Sequence, residues 1–174
     1  MRNAFATVPL GAGSVHLLSW PGLRAGHDGR GWIDPEIRGE VLERLMRFGC
    51  HDLYALTEHN ELPRGTRAEL RMAASHCSIT LWSAPIRDFQ PPDARFMRRW
   101  APALERRAVA VRAGGHVAFC CMAGAGRSGT LAALLMVMAG TKLICAVDAI
   151  RAINPHAIES PAQEAWLAAL PFGQ

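Results

Sequence analysis

Several familiar patterns are missing from this sequence, and each absence argues against a class of protein. The five cysteines include no Cys-x-x-Cys pair, which argues against a zinc site and against a disulfide scaffold. No apolar run reaches the roughly 20 residues that cross a membrane, and residues 1–10 lack the apolar segment of a signal peptide. His27 and Asp28 have no third ligand at a suitable spacing, so no metal is expected there. These absences predict a cytoplasmic protein that needs no metal or cofactor and contacts no membrane.

Repeats, linkers and lysines are also scarce. Because no internal repeat or linker divides the 174 residues, the sequence predicts one domain, residues 1–174. Half of the residues are hydrophobic and a fifth are charged, which is typical of a globular protein. The net charge of +4, with Lys142 as the only lysine, suits an anionic substrate but is too small to indicate nucleic acid. The arginines between residues 95 and 112 are expected on a solvated helix face.

What the sequence does contain is an alternation of strands and helices. Strands are predicted at residues 15–18, 52–56, 78–82 and 116–121, and helices at 35–48, 66–75, 94–112, 131–138, 143–153 and 161–170. Asp34 and Pro35 are expected to be the N-cap and the first residue of the helix at 35–48. Pro102 is expected to kink or restart the helix that contains it. The alternation predicts an α/β fold with a central, mostly parallel sheet flanked by helices.

Residues 116–130 form the most informative stretch, in which an apolar strand leads through a glycine-bearing loop into an apolar helix. This arrangement points several backbone N–H groups into one concavity, where the helix dipole adds positive potential. The sequence therefore predicts an anion site. Of the adjacent cysteines Cys120 and Cys121, only Cys121 stands with five residues between it and Arg127. A thiolate in such a loop can attack phosphorus, while the planar guanidinium binds two phosphate oxygens.

Residues 121–128, with the pattern Cys-x5-Arg-Ser, resemble the signature loop of the cysteine-dependent protein tyrosine phosphatases. Residues 85–88 resemble that family's Pro-Ile-x-Asp stretch. Residues 57–62, Thr-x-x-x-Glu-Leu, resemble the compact dual-specificity phosphatases similar to the cyclin-dependent-kinase-associated phosphatase. The resemblance covers roughly residues 50–165, and it implies a phosphatase-like fold with the phosphate-binding loop between a strand and a helix.

The resemblance also implies a two-step reaction without a metal. Cys121 would attack the phosphorus and form a phosphocysteine intermediate, while Asp88 would protonate the leaving oxygen and later activate water. Arg127 would stabilise the transferred phosphoryl group, and Ser128 would donate a hydrogen bond that eases departure of the thiolate. The residues implied in phosphate binding are Met122, Ala123, Gly124, Ala125, Gly126 and Arg127.

Four positions allow two interpretations each. Cys120 stands where the family usually has His, and it is either a small buried strand residue or a second thiol with a redox role. Asp93, also upstream of the loop, is better placed as a helix N-cap than as the acid. Residues 57–62 are either a helix-leading turn or a substrate-facing loop. Gln163 either helps to place water or lies on a helix surface.

A phosphorylated protein or an aryl phosphate is the expected substrate. Members of the resembling family that act on inositol phosphates tend to have lysines or an aspartate in this loop, so the resemblance ranks phospholipid substrates lower for the uncharged residues 122–126. By the same analogy, the short chain implies a shallow pocket that accepts phosphotyrosine, with phosphoserine and phosphothreonine as further candidates. The alternatives are an inactive phosphate-binding pseudophosphatase and, with less support, a rhodanese-type sulfurtransferase. The low-molecular-weight phosphatases place their loop near the N-terminus, which this chain does not.

Overall fold

The computed structural model describes residues 4–25 and 31–171, so His27 and Asp28 lie outside the described residues. Within these ranges, no group of three or more His, Cys, Asp or Glu side chains is placed to hold a metal ion. No helix in the same ranges has the length and the apolar character needed to span a membrane.

Seven strands and six helices follow one another in the described part of the chain. The strands are β1 (Phe5–Leu10), β2 (Gly13–Ser19), β3 (Leu23–Ala25), β4 (Gly31–Ile33), β5 (Asp52–Ala55), β6 (Thr80–Ser83) and β7 (His116–Cys121). The helices are α1 (Pro35–Arg47), α2 (Thr66–His76), α3 (Ala94–Arg112), α4 (Gly126–Met138), α5 (Leu143–Ile153) and α6 (Pro161–Ala168).

Five strands form one sheet in the order β1-β2-β7-β5-β6. Strand β1 pairs antiparallel with β2, whereas the other three pairs are parallel. Strands β3 and β4 form a separate antiparallel pair. Because β7 is the central strand, Cys121 at its carboxyl end lies between the ends of β2 and β5, where ligands bind in open α/β sheets. The predicted α/β fold with a mostly parallel sheet is confirmed.

Successive side chains of β7 point to opposite sides of the sheet, so both faces are apolar at this strand. Helices cover both of these faces. Phe119 and Cys121 pack in a cluster with residues of α3, α4, α5 and α6. Ala118 and Cys120 pack on the other face with residues of α1 and α2. Helix α4 is buried from residue 126 to residue 137, which explains why its sequence is apolar on every side. The helix that follows the signature loop is therefore fixed in the core.

The predicted elements match the structure with three exceptions. Pro102 lies inside the uninterrupted helix α3, so of the two expected effects, a kink or a restart, the restart does not occur. One lost backbone hydrogen bond is tolerated there because α3 buries a long apolar stripe against the sheet. The edge strand β1 and the short β3–β4 pair were not predicted. Asp34 and Asp93 are confirmed as N-caps of α1 and α3.

A buried histidine on β2, opposite Ala118 of the central strand, connects β1 to the middle of the sheet. The Nδ1 atom of His16 lies 3.1 Å from the hydroxyl of Thr7, and its buried Nε2 has no partner among the described residues. The ring packs 4.6 Å from Phe48 and 5.5 Å from His116, measured between centroids. Burial, followed by the nearby His116 and Arg44, lowers the pKa of His16 to about 4.

This histidine is expected to make the fold sensitive to mild acid. The unfolded chain binds a proton near the ordinary histidine pKa of about 6.5, whereas folded His16 resists protonation until about pH 4. The contribution of neutral His16 to the free energy of unfolding is therefore fully present above about pH 6.5. It is lost as the pH falls to about 4, which lowers the free energy of unfolding by about 3 kcal/mol. Urea unfolding of wild type and His16→Leu across this range measures the difference. The exposed His76→Gln is the control, and an unchanged pH dependence in His16→Leu would contradict the assignment.

Candidate active site

The loop between β7 and α4 closes onto the neighbouring strand β2. Gly124 has a φ of 75°, and a Cβ at this position would lie 2.5 Å from backbone atoms of Leu18 and Ser19. The side-chain amide of Asn154 donates to the Gly124 carbonyl at 3.1 Å. Glycine is therefore required at position 124 both by the backbone conformation and by the close approach of β2.

Gly124→Ala is expected to destabilise the protein by about 2 to 4 kcal/mol, because the left-handed backbone and the clash with β2 add to each other. Urea unfolding measures the loss. Gly39→Ala is the matched control, since Gly39 lies inside α1 with open space where its Cβ would stand. That control is expected to be neutral or slightly stabilising. Equal effects of the two substitutions would contradict this account of the loop.

Cys121 lies at the bottom of the loop, with only 2 % of its surface exposed. Its sulfur accepts a hydrogen bond from the backbone N–H of Gly124 at 3.2 Å. The N-terminus of the buried helix α4 follows five residues later. An anionic sulfur or a bound oxyanion in this position is stabilised by the amide and by the helix dipole.

Arg127 is 1 % exposed, and four acceptors fix its guanidinium. Nη1 and Nη2 donate to the two carboxylate oxygens of Glu61 at 2.6 and 2.7 Å, and Nη1 also donates to the Ile86 carbonyl at 3.1 Å. Nη2 lies 3.0 Å from Oδ1 of Asp88. Burial alone would lower the pKa of Arg127, but the hydrogen bond to Glu61 and the charges of Cys121, Glu61 and Asp88 raise it instead. Arg127 is therefore a fixed cation.

Two buried polar atoms beside Cys121 are left without a partner among the described residues. They are Nε of Arg127 and the hydroxyl oxygen of Ser128. Buried donors are nearly always paired, so two orphans in one loop indicate that a ligand completes the site. A tetrahedral oxyanion can accept from Nε and from Nη2 once Asp88 releases Nη2. The remaining loop residues leave room for it, because Ala123 is exposed and Met122 is half-buried.

Residues 57–62 do face this site, through Glu61. The segment is held by Arg67 of α2, whose Nη2 donates to the carbonyl and the hydroxyl of Thr57 at 2.8 and 3.0 Å. The Arg67 guanidinium also lies 5.3 Å from the ring centroid of Trp20. Arg67 therefore positions the loop that carries Glu61. Sequence reasoning left this loop open between two interpretations and did not identify Glu61 as the partner of Arg127.

Asp88 is brought to the same site but remains 46 % exposed. Besides its contact with Arg127, it accepts a hydrogen bond from the N–H of Phe89 at 3.1 Å. Phe89 has a φ of 57°, and its carbonyl accepts from the hydroxyl of Ser160 at 2.6 Å. The strained backbone next to Asp88 is typical of functional loops. Asp93 does not reach the site, because its carboxylate caps α3 by accepting from the N–H of Phe96 at 2.6 Å.

Cys120 is confirmed as a buried strand residue. It is fully buried on the sheet face opposite Cys121, in the cluster that contains Leu18 and Trp20. Burial, followed by the charge of Cys121, raises the pKa of its thiol above the usual range. A protonated thiol on the opposite face is a poor partner for redox exchange with Cys121.

Gln163 does not lie on a helix surface, so that interpretation is wrong. It is fully buried, and its carbonyl accepts from the N–H of Ser160 at 3.3 Å while the Ser160 hydroxyl caps α6 in return. Its amide nitrogen lies 3.4 Å from the carbonyl of Gln90. Both ends of the side chain are engaged in structure, which leaves it little capacity to place water.

Glu159 was not predicted at all, yet it touches the loop. Its Oε1 lies 2.0 Å from the position that a Cβ on Gly126 would take. Burial, followed by the charge of Asp88, raises the pKa of Glu159 above its usual value. No sequence motif singles out Glu159, which lies in the segment between α5 and α6.

Comparisons with known proteins identify the family of this chain. The family model described as "Swiss Army Knife protein, DSP-PTPase phosphatase domain" matches residues 33–167. No curated protein matches the sequence. Among solved structures, a kinase associated phosphatase (KAP) with its catalytic-site cysteine replaced by serine superposes with a TM-score of 0.74 at 21 % identity, over 96 % of this chain and 93 % of that one.

Two further solved structures share the fold. A mutant form of Tk-PTP is 28 % identical, with a TM-score of 0.58 over 86 % of this chain and 93 % of that one. PTPMT1 in complex with PI(5)P is 20 % identical, with a TM-score of 0.56 over 88 % of this chain and 86 % of that one. Since the family model covers most of the sequence, the chain belongs to the Swiss Army Knife family of dual-specificity and protein tyrosine phosphatase domains.

Proposed function

We propose that this protein hydrolyses phosphotyrosine in proteins, and phosphoserine or phosphothreonine as further substrates, through a phosphocysteine intermediate on Cys121. The observation that carries the proposal is the convergence of three groups on one loop. Among the described residues, the sulfur of Cys121 accepts from a loop amide, Nε of buried Arg127 has no partner, and Asp88 reaches Arg127 from the exposed side. We further propose that residues 1–174 act as one phosphatase domain.

In the first step, the thiolate of Cys121 attacks the phosphorus in line with the ester oxygen. Nε and Nη2 of Arg127 and the amides of residues 122–127 bind the three non-bridging oxygens, whose charge they balance in the transition state. Asp88 gives up Nη2 to the phosphate, takes up a proton from solvent as it leaves this ion pair, and donates that proton to the leaving oxygen. The P–S bond forms as the P–O bond breaks, and Glu61 holds the other edge of the guanidinium throughout.

In the second step, water replaces the departed alcohol and attacks the phosphocysteine. The Asp88 carboxylate accepts a proton from this water, the new P–O bond forms and the P–S bond breaks. The electron pair returns to the sulfur. The hydroxyl of Ser128, which has no partner among the described residues, donates a hydrogen bond to the departing thiolate. None of these steps uses a metal.

The uncharged residues 122–126 support a phosphoprotein rather than a phosphoinositide substrate. PTPMT1 binds PI(5)P with the same fold, so the fold alone does not decide between the two classes. Five free cysteines among the described residues support a reducing compartment, and we place the activity in the cytoplasm.

A phosphate-binding pseudophosphatase is the second candidate. It is favoured by Cys120 in the usual place of His and by the two carboxylates that engage Arg127 in this structure. Hydrolysis of para-nitrophenyl phosphate, measured with chelator and reductant, separates the two. Turnover by wild type supports the phosphatase, whereas vanadate binding without turnover supports the pseudophosphatase.

Asp88→Asn is expected to lower kcat by about 10²- to 10⁴-fold on a phosphotyrosine peptide, because the leaving oxygen loses its proton donor. The loss should be smaller with para-nitrophenyl phosphate, whose leaving group needs less protonation. Steady-state kinetics with both substrates measures the effect. Asp93→Asn is the matched control, since asparagine caps a helix as well as aspartate does. Equal losses with the two substrates would argue against Asp88 as the acid.

A further inference from the structure

Glu159 lies against the phosphate-binding loop although it is distant from it in sequence. Its carboxylate oxygen fills the space beside Gly126 and lies 2.0 Å from the position that a Cβ on Gly126 would take. Gly126 is the residue immediately before Arg127, and any larger residue would push the carboxylate away. The absence of a side chain at position 126 therefore lets Glu159 reach the loop.

The charges around the loop are unbalanced. Arg127 is the cation whose contacts define the site, and its charge is met by both Glu61 and Asp88. Glu159 adds a third carboxylate, close enough to interact with Asp88 and Arg127. Residues 122–126 contribute no charge. These three carboxylates therefore outnumber the single cation at the entrance of the phosphate-binding loop, outside the position that a bound oxyanion would take.

A surface cavity of about 590 Å³ continues from Glu159 away from the loop. Arg151 and Glu164 line it and pair with each other, and Arg151 also donates to the carbonyls of Ala157 and Ile158 at 3.2 and 3.1 Å. The Arg151 charge is thereby compensated, and His156 is the other basic group in the lining. A residue that flanks the phosphorylated side chain and lies in this cavity would meet the exposed carboxylate of Glu159, which accepts a hydrogen bond from the backbone N–H of Gly126 on its other side.

We propose that Glu159, held against Gly126 between the phosphate-binding loop and this cavity, selects phosphopeptides with a lysine or arginine beside the phosphorylated residue. It disfavours substrates with an acidic neighbour or a second phosphate in the same place. The inference rests on the proposed function and specifies its substrate class. Arg127 and the backbone N–H of Gly126 stabilise the Glu159 carboxylate from the side of the loop, and the side chain remains exposed toward the cavity.

The test compares two phosphotyrosine peptides that differ only in arginine or glutamate at the flanking positions. Within each enzyme, the ratio of kcat/KM for the arginine peptide to that for the glutamate peptide cancels general effects on turnover. Wild type is expected to favour the arginine peptide by about three- to tenfold, the size of one partly screened charge pair. Glu159→Gln should bring the ratio close to one, and Glu159→Lys should reverse it. Glu105→Gln, an exposed charge change on α3, should leave it unchanged.

A ratio near one in wild type, or a ratio that Glu159→Gln leaves unchanged, overturns the inference while para-nitrophenyl phosphate turnover still supports the proposed function. If wild type hydrolyses neither substrate, the proposed function fails, and peptide affinities then decide the inference separately. Dissociation constants of both peptides for Cys121→Ser, measured by calorimetry with and without Glu159→Gln, should show the same charge preference. Equal affinities for the two peptides would overturn it.

Discussion

Cys121→Ser is expected to abolish hydrolysis of para-nitrophenyl phosphate, with a fall in kcat of roughly four orders of magnitude or more. A serine hydroxyl remains protonated at neutral pH and is a far weaker nucleophile than a thiolate. The substitution removes the sulfur that accepts from Gly124 but replaces it with a smaller oxygen at a site that tolerates polarity. The variant should therefore fold and still bind vanadate or phosphate, which calorimetry can measure.

Cys120→Ser is the matched control for this prediction. Cys120 packs among apolar side chains on the opposite face of the sheet, so a serine hydroxyl there would be buried in apolar surroundings. We expect a loss of about 1 to 3 kcal/mol in the free energy of unfolding, with kcat retained below the melting transition. Activity that survives in Cys121→Ser, or that disappears in a folded Cys120→Ser, would show that the nucleophile has been misassigned.

Arg127→Lys is expected to lower kcat/KM by about 10²- to 10⁴-fold although the charge is kept. Lysine offers one compact ammonium group, and it cannot hold Glu61 with two donors while presenting Nε and Nη2 to a phosphate. The Ile86 carbonyl also loses its donor. Steady-state kinetics measures the loss, and urea unfolding of the same preparation separates it from instability.

Glu61→Gln shows whether the role of Glu61 depends on Arg127. One amide oxygen can still accept from Nη1, but the amide nitrogen cannot accept from Nη2, so the guanidinium is held less firmly. We expect a loss of about tenfold in kcat/KM. Because the two side chains act together, the double variant Glu61→Gln/Arg127→Lys should show a smaller loss of kcat/KM than the product of the two single losses. Fully multiplicative losses would mean that Glu61 acts independently of Arg127.

The sequence was most informative where neighbouring residues decide the structure. The apolar strand, the two glycines and the apolar run after Arg127 predicted the strand, loop and buried helix because each is a local pattern. Asp34 and Asp93 were identified as N-caps for the same reason, since a cap bonds to amides within its own first turn.

What the sequence did not reveal depends on contacts between distant segments. Glu61 meets Arg127 across 66 positions, a pairing that only the parallel order of β5 beside β7 brings about. Glu159 reaches Gly126 through the packing of the segment after α5, which no local pattern encodes. Strand β1 was missed because it lies at the edge and contains Pro9.

Gln163 was misjudged although a local signal existed. Ser160 and Gln163 have the spacing of a capping box, with serine at the N-cap and glutamine three residues later. That pattern predicts that the side chain of Gln163 caps the first turn of α6. Its burial beneath Gln90 then follows from the docking of α6 against the segment that carries Asp88.

The central claim is that Cys121 carries the phosphoryl group between the two steps. The most direct measurement is rapid acid quenching of the enzyme during turnover of a phosphotyrosine substrate, followed by mass spectrometry of the proteolysed chain. The account predicts one phosphoryl group on the peptide that contains Cys121, still present in Cys120→Ser and absent from Cys121→Ser. Turnover without this adduct, or a phosphoryl group on another residue, would contradict it.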